Sequence, residues 1–304
     1  MKTVLVTGSN GLLGQKLVYA LLSRSDVKCI ATSIGENRIA EKNGYTYESL
    51  DITDREAVFS AFERWKPHAV INTAALTNVD ACEHRREEAV LLNVTAVGYL
   101  AEACKEHDTH LVHLSTDFVF DGADGPYVET DAVNPLSHYA RTKADGETLV
   151  MQCGISWAIL RTIIIYGVVD DNSRSNVVLW AFNALSSGKE ISVINDQYRS
   201  PTLAEDLASA CVAAALNGKK GLFHVSGRET MCILDMVRIV ARYFGLDASL
   251  IKPVSSEALR QPAPRPPVTG FIIQKAEKEL GFRPVDFIEG LAEVRKQLIL
   301  VGAL

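Results

Sequence analysis

The chain has 304 residues, 47% hydrophobic and 22% charged, which is enough apolar material for a full core without metal or disulfide staples. Its formal net charge is −6, with Lys and Arg scattered along the chain, which argues against nucleic acid or an acidic membrane surface as its main partner. Cys29, Cys82, Cys104, Cys153, Cys211 and Cys232 form no C-x-x-C pair and the histidines show no ligand spacing, so a reducing compartment and no metal are expected.

Met1-Lys2 leads straight into VLVTG, without the apolar core of a secretory signal, and no apolar run reaches membrane-spanning length. A cytoplasmic location is expected. Short β-branched runs then alternate with longer helical patterns. TVLV (3–6), KCIAT (28–32), TYESL (46–50), HAVINT (68–73), HLVHLS (110–115) and WAILRT (157–162) read as strands. LLGQKLVYALLSR, REAVFSAFERW, a stretch from 79 to 107 and YARTKADGETLVMQ have apolar residues at helical spacing. This rhythm predicts an α/β fold, a doubly wound parallel sheet of Rossmann type with helices on both faces.

Past residue 165 the rhythm changes. A helix is expected over 176–188, a strand over 190–195, and a capping box at Thr202-Leu203-Ala204-Glu205 opening the next helix. GLFHVS (221–226) reads as a further sheet strand and LDMVRIVARYFG (234–245) as a helix. The prolines of RQPAPRPP (260–267) exclude helix and central strand, before a last helix near 286–299. The expected division is a nucleotide-binding domain at 1–163, with 203–226 returning to its sheet, and a smaller C-terminal α/β substrate domain at 164–202 and 227–304.

The first strand runs into TGSNGLLG, which places Gly8, Gly11 and Gly14 where a helix begins. A tight turn, close approach to a pyrophosphate and helix–strand packing each need a residue without Cβ, and the helix N-terminus favours the anion. The segment Gly8, Asn10, Gly11, Leu12, Leu13, Gly14 is therefore the expected cofactor loop. Near the tip of the second strand stands Ser33 rather than an acid, with Arg38 beyond it. A cation beside a small hydroxyl residue suits a ribose 2′-phosphate, so NADPH is favoured over NADH. Further on, SHYARTK spaces Tyr139 and Lys143 one helical turn apart, on one face.

TGSNGLLG, LDITD (50–54), NTAA (72–75), LNVTAV (92–97), LSTDFVFDG (114–122) and YARTK (139–143) occur in an order that resembles the extended short-chain dehydrogenase/reductase family. With SVINDQYRSPT (192–202), the resemblance is strongest to its dTDP-4-dehydrorhamnose reductases. It implies Thr116, Tyr139 and Lys143 as the catalytic triad, with Thr116 preferred to Ser115 because the motif places it there. By the same resemblance Asp51 and Ile52 flank the adenine and Ala74 and Ala75 line the cofactor's path, although Asp51 could instead cap the helix that follows it. Tyr139 and Lys143 also face the cofactor. The implied chemistry is reduction of a ketone, in which Tyr139 supplies a proton, the Lys143 ammonium lowers its pKa and Thr116 holds the substrate oxygen.

The resemblance assigns substrate contacts to Thr116, Asp117, Ile164, Arg199 and Arg265. Three places depart from the rhamnose pattern. Ile164 stands where a tryptophan is usual, Arg199 where glycine is usual, and RPPVTGFI (265–272) replaces the usual loop. Arg199 either grips a diphosphate or decorates the surface. The function implied is NAD(P)H-dependent reduction of the 4-keto group of a nucleotide-activated deoxysugar, in a protein whose relatives are often homodimers. The alternatives are an NAD-dependent epimerase or dehydratase, weakened because Asp117 alone follows Thr116, and a regulatory nucleotide-binding subunit like the β subunit of methionine adenosyltransferase.

Overall fold

The expected strand–helix alternation begins with the first residues of the chain, in a computed structural model that describes residues 1–171 and 173–304. β1 (Lys2–Thr7), α1 (Leu12–Leu22), β2 (Val27–Ser33), β3 (Thr46–Ser49), α2 (Arg55–Trp65) and β4 (Ala69–Asn72) come first. α3 (Val79–His84), α4 (Arg86–Val90), a π-helical turn at Leu91–Thr95 and α5 (Ala96–Glu106) lead to β5 (His110–Thr116). A short 3-10 turn (Asp117–Val119), α6 (His138–Gln152) and β6 (Trp157–Thr162) follow.

Next come β7 (Ile165–Tyr166), α7 (Val177–Ser186), β8 (Ile191–Ile194), β9 (Tyr198–Arg199), β10 (Thr202–Leu203), α8 (Ala204–Leu216) and β11 (Gly221–His224). The chain ends with β12 (Met231–Cys232), α9 (Ile233–Phe244), β13 (Ile251–Val254), α10 (Ser256–Leu259), β14 (Val268–Thr269), α11 (Gln274–Glu279) and α12 (Phe287–Leu300).

Seven strands make one sheet in the order β11-β6-β5-β4-β1-β2-β3, and every pairing in it is parallel. Parallel strands covered on both faces need near-continuous apolar runs, and every residue of β4 and β5 is buried. One face packs against α1, α8 and α11, the other against α2, α5 and α6. The strand order reverses between β1 and β4, which opens a crevice at their carboxyl ends. The doubly wound Rossmann fold expected from the alternation is thus present.

A second apolar cluster joins α7, α9, α12 and the parallel pair β8–β13. The small sheet β12-β9-β14 brings residues 198–199 beside 268–269. None of the described helices is long and apolar enough to cross a membrane.

Two local expectations are corrected. The stretch 79–107 is not one helix. Asn78 caps α3 through Ala81 N, and Arg85, at φ −117, breaks it before α4. The capping box at Thr202 does not form, because Thr202 lies in β10 and its Oγ1 donates to Ile163 O at 2.6 Å. Leu203 caps α8 with no side-chain bond, whereas Asp286 and Glu289 do form a capping box at α12.

Candidate active site

The turn from β1 into α1 lies on the crevice. Gly8 has φ +69, and a Cβ there would stand 2.8 Å from Ala74 N and from Thr73 Oγ1. A Cβ on Gly14 would lie 2.2 Å from Gly8 O, so α1 packs on the loop only because that residue is glycine. Gly11 caps α1 with no side chain, and no acid sits in the first turn. The helix dipole and its free N–H groups are thus open to an anion, and the residues present fit a dinucleotide pyrophosphate. Leu12 is half-buried and Leu13 buried.

Asn10 does different work from its neighbours. Its Nδ2 donates to Glu36 O at 2.8 Å and its Oδ1 accepts Arg38 N at 2.9 Å. The loop is thereby tied to the segment beyond β2, where Ser33 is half-buried and Arg38 exposed. Asp51 accepts from Thr53 N and Thr53 Oγ1. It does not cap α2, because Asp54 accepts Ala57 N in that role. Ile52 is buried under the same edge, and Ala74 and Ala75 are half-buried at the end of β4.

Three strand ends are joined beneath the crevice. Thr7 Oγ1 donates to Asn72 Oδ1 at 2.5 Å, and Asn72 Nδ2 lies 3.1 Å from His113 Nδ1. β5 then delivers Ser115 and Thr116. Ser115 Oγ is buried without a partner among the described residues, whereas Thr116 Oγ1 donates to Asp117 Oδ1 at 3.0 Å and accepts Phe118 N at 3.2 Å.

Ser137 caps α6 by accepting Ala140 N, which sets Tyr139 and Lys143 on the buried side of the helix. Burial pushes the Tyr139 phenol well above its ordinary range. The Thr116 side chain, within hydrogen-bonding reach, opposes this, while Asp117 and Cys82 add to it. The Phe118 ring meets Tyr139 edge-on at 6.1 Å. Lys143 Nζ donates to Leu114 O at 2.6 Å, and burial lowers its pKa to about 8 against the pull of Glu147.

Burial is the largest influence on the Tyr139 phenol and raises it, and the Thr116 hydroxyl has Asp117 Oδ1 within reach at 3.0 Å.

Arg199 is neither a surface ornament nor a free diphosphate clamp. It is 2% exposed, and its guanidinium donates to Tyr198 O (2.7 Å), Pro266 O (2.6 Å) and Pro267 O (3.2 Å), with Nε 3.5 Å from Asp117 Oδ2. Arg265 holds Asp80 with both arms of its fork, at 3.1 and 2.8 Å. Ile164, half-buried between β6 and β7, has φ +29, a strained conformation for a β-branched residue. Thr202 N, donating to Ile164 O at 3.0 Å, helps to hold it.

Thr269, whose hydroxyl donates to Asp117 Oδ2, and Asp80 were not foreseen from the sequence. Each meets its partner from more than 150 residues away in the chain, where no local pattern gives a signal.

The family model described as the RmlD substrate binding domain matches residues 1–299. A dTDP-4-dehydrorhamnose reductase of Aggregatibacter actinomycetemcomitans is 31% identical, over 97% of this chain and 99% of its own length. The methionine adenosyltransferase 2 subunit beta of Rattus norvegicus is 34% identical over 84% of this chain and 75% of its own. The crystal structure of a dTDP-4-dehydrorhamnose reductase from Bacillus anthracis, in complex with NADP, superimposes with a TM-score of 0.84 at 27% identity, covering 98% of this chain and 100% of that one.

Proposed function

The chain belongs to the RmlD substrate binding domain family, and from that membership we propose that it is an NADP-dependent reductase of a nucleotide-activated 4-keto-6-deoxy sugar. The observation that carries this reading is the convergence of Thr116, Tyr139 and Lys143 at the carboxyl end of β5, beside the crevice where the strand order reverses. The relatives named dTDP-4-dehydrorhamnose reductase, one of them bound to NADP, support the same class of substrate and cofactor.

The loop Gly8–Gly14 would hold the cofactor's pyrophosphate, with Arg38 and Ser33 toward its adenosine ribose and Asp51 and Ile52 toward its base. When bound, NADPH supplies the hydride that reduces the sugar carbonyl. Tyr139 keeps its proton because burial disfavours the phenolate. It gives that proton to the carbonyl oxygen as negative charge develops there. Thr116, within hydrogen-bonding reach of the phenol, helps to align the reacting groups beforehand. Lys143 is positioned to bring positive charge beneath the reacting pair, and Ile164 offers an apolar wall to the sugar.

The sugar nucleotide is assigned to the space between the carboxyl edge of the sheet and residues 164–202 and 227–304, taken as a substrate domain. All six cysteines are free, which supports a reducing compartment, for which we take the cytoplasm. A homodimer is the proposed assembly, to be checked by light scattering. The test of function is NADPH oxidation with dTDP-, UDP- and GDP-linked 4-keto-6-deoxy sugars. Turnover of one of them is expected. Silence on all three, together with a stable complex with a methionine adenosyltransferase catalytic chain, would replace this reading with the regulatory role suggested by the 34% identical subunit.

A further inference from the structure

The chain between β2 and β3 carries Arg38 and has no regular structure of its own from residue 34 to 45. It is fastened at two places. Asn10 binds Glu36 O and Arg38 N, and two residues further on Ala40 N donates to Asp170 Oδ2 at 2.7 Å. Ile39, between them, is fully buried. The Arg38 side chain, by contrast, is exposed, and none of the described residues pairs with it.

Asp170 is itself fixed from α1. Tyr19 Oη donates to the same Oδ2 at 2.6 Å, and Asp170 N donates to Gln15 Oε1 at 2.9 Å. Gln15 and Tyr19 stand one turn apart, on one face of the helix. Burial, helped by Asp170, pushes the Tyr19 phenol up to about 12, so it remains a donor. Asp170 follows β7, 130 residues from Ala40, in the segment assigned to the substrate domain. We propose that Asp170 is a positioning residue for cofactor choice: it fastens the 36–40 loop to α1 so that Arg38 is presented to the ribose 2′-phosphate, and it thereby favours NADPH over NADH. This rests on the reading of Arg38 as the contact for that phosphate.

An arginine on a loose loop must be ordered when the phosphate binds, and that cost lowers affinity. A loop already tied at residues 36, 38 and 40 avoids most of it. NADH has no 2′-phosphate, so the gain is specific to NADPH. Charge alone predicts the opposite. Asp170 adds a negative charge to a loop that meets an anion, and its neighbour Asp171 feels the Arg38 cation. Burial raises the Asp171 carboxyl, while bonds from Ser173 and that cation bring it below the ordinary range. If repulsion dominated, removing the Asp170 carboxylate would tighten NADPH. The sign of the change therefore separates holding from repulsion.

The test measures Kd for NADPH and for NADH by fluorescence titration of the full chain, with no sugar present. Asp170→Ala should weaken NADPH about tenfold, the scale of one charge-assisted hydrogen bond, and leave NADH within about twofold. Asp170→Asn, which keeps an acceptor for Ala40 N, should recover most of the loss. Tyr19→Phe removes one donor from the same oxygen and should shift the ratio the same way by a smaller factor. Equal losses on both cofactors, an unchanged ratio or tighter NADPH would overturn the proposal, in Asp170→Ala or, should that variant not fold, in Tyr19→Phe.

Arg38→Met tests the reading on which this rests, and should weaken NADPH about tenfold or more with NADH unaffected. An unchanged ratio there sinks that reading and the positioning role with it. A changed ratio beside an unmoved Asp170→Ala sinks the positioning role alone. Asp170→Ala added to Arg38→Met should bring almost no further loss, because Asp170 acts only through Arg38. Additive losses would show that Asp170 acts by another route, and would overturn the positioning role.

Discussion

The carbonyl oxygen of Asn93 stands 2.6 Å from where a Cβ on Gly146 would be. α6 therefore rests directly on the backbone of the π-helical turn. The contact is locked by Asn93 itself, whose Nδ2 donates to Thr142 Oγ1 at 3.0 Å and to Leu76 O at 3.1 Å, while Leu76 N donates back to Oδ1 at 2.9 Å. Tyr139 and Lys143 lie on the same helix, within two turns of Gly146. The turn that departs from α-helical geometry is the one that sets their depth.

Gly146→Ala should push α6 outward, because backbone opposes the new methyl and cannot swing aside. We expect kcat to fall about a hundredfold, as a displacement on the order of 1 Å at the reacting groups can do. NADPH affinity, read by fluorescence titration, should change far less, since the phosphate loop leads into α1, which packs on the opposite face of the sheet from α6. Full activity in the Ala variant would mean that the π-helical turn yields freely.

Removing the phenol oxygen is the direct test of the proton donor. Tyr139→Phe should reduce kcat on the order of 10²–10⁴-fold with NADPH binding nearly intact. A rate within a few-fold of wild type would take Tyr139 out of that role.

The pH dependence has a definite sign. Burial lowers Lys143 to about 8, so its ammonium is present below that pH and is lost as pH rises through it. If the positive charge is needed, kcat/KM should decline above about pH 8. Arg stays charged throughout this range, so whatever activity Lys143→Arg retains should hold to higher pH. A wild-type profile flat well beyond pH 8 would show that the reaction does not need the charge.

Arg265 cannot grip a diphosphate while both arms of its fork hold Asp80. Asp80→Asn weakens that grip, and the KM for the sugar nucleotide should fall several-fold with kcat little changed. Arg265→Met should move KM the other way. Unaltered KM in both variants would leave the pair as a simple latch between α3 and the 260–267 loop.

The sequence by itself determined the framework. Strand and helix periodicities repeat within a few residues, so the parallel sheet, the glycine loop at α1 and the one-turn spacing of Tyr139 and Lys143 were legible from local pattern. The caps were less so. Thr202 carries the letters of a capping box, yet its hydroxyl is taken by Ile163 O in the link between β6 and β7, a competition that spacing cannot register. The split of 79–107 falls at Arg85, between Glu83 and Arg86, which His138 of α6 meets from more than 50 residues away.

What only the tertiary structure decided is the partnership of charged groups. Arg199 reads as a surface or ligand residue in the chain, and it is buried against Asp117 because β9 and β14 pair beneath the 3-10 turn after β5. Arg265 meets Asp80 from 185 residues away. A hydrogen bond or ion pair depends on distances of a few ångströms between groups remote in sequence, and those distances exist only once the core has packed.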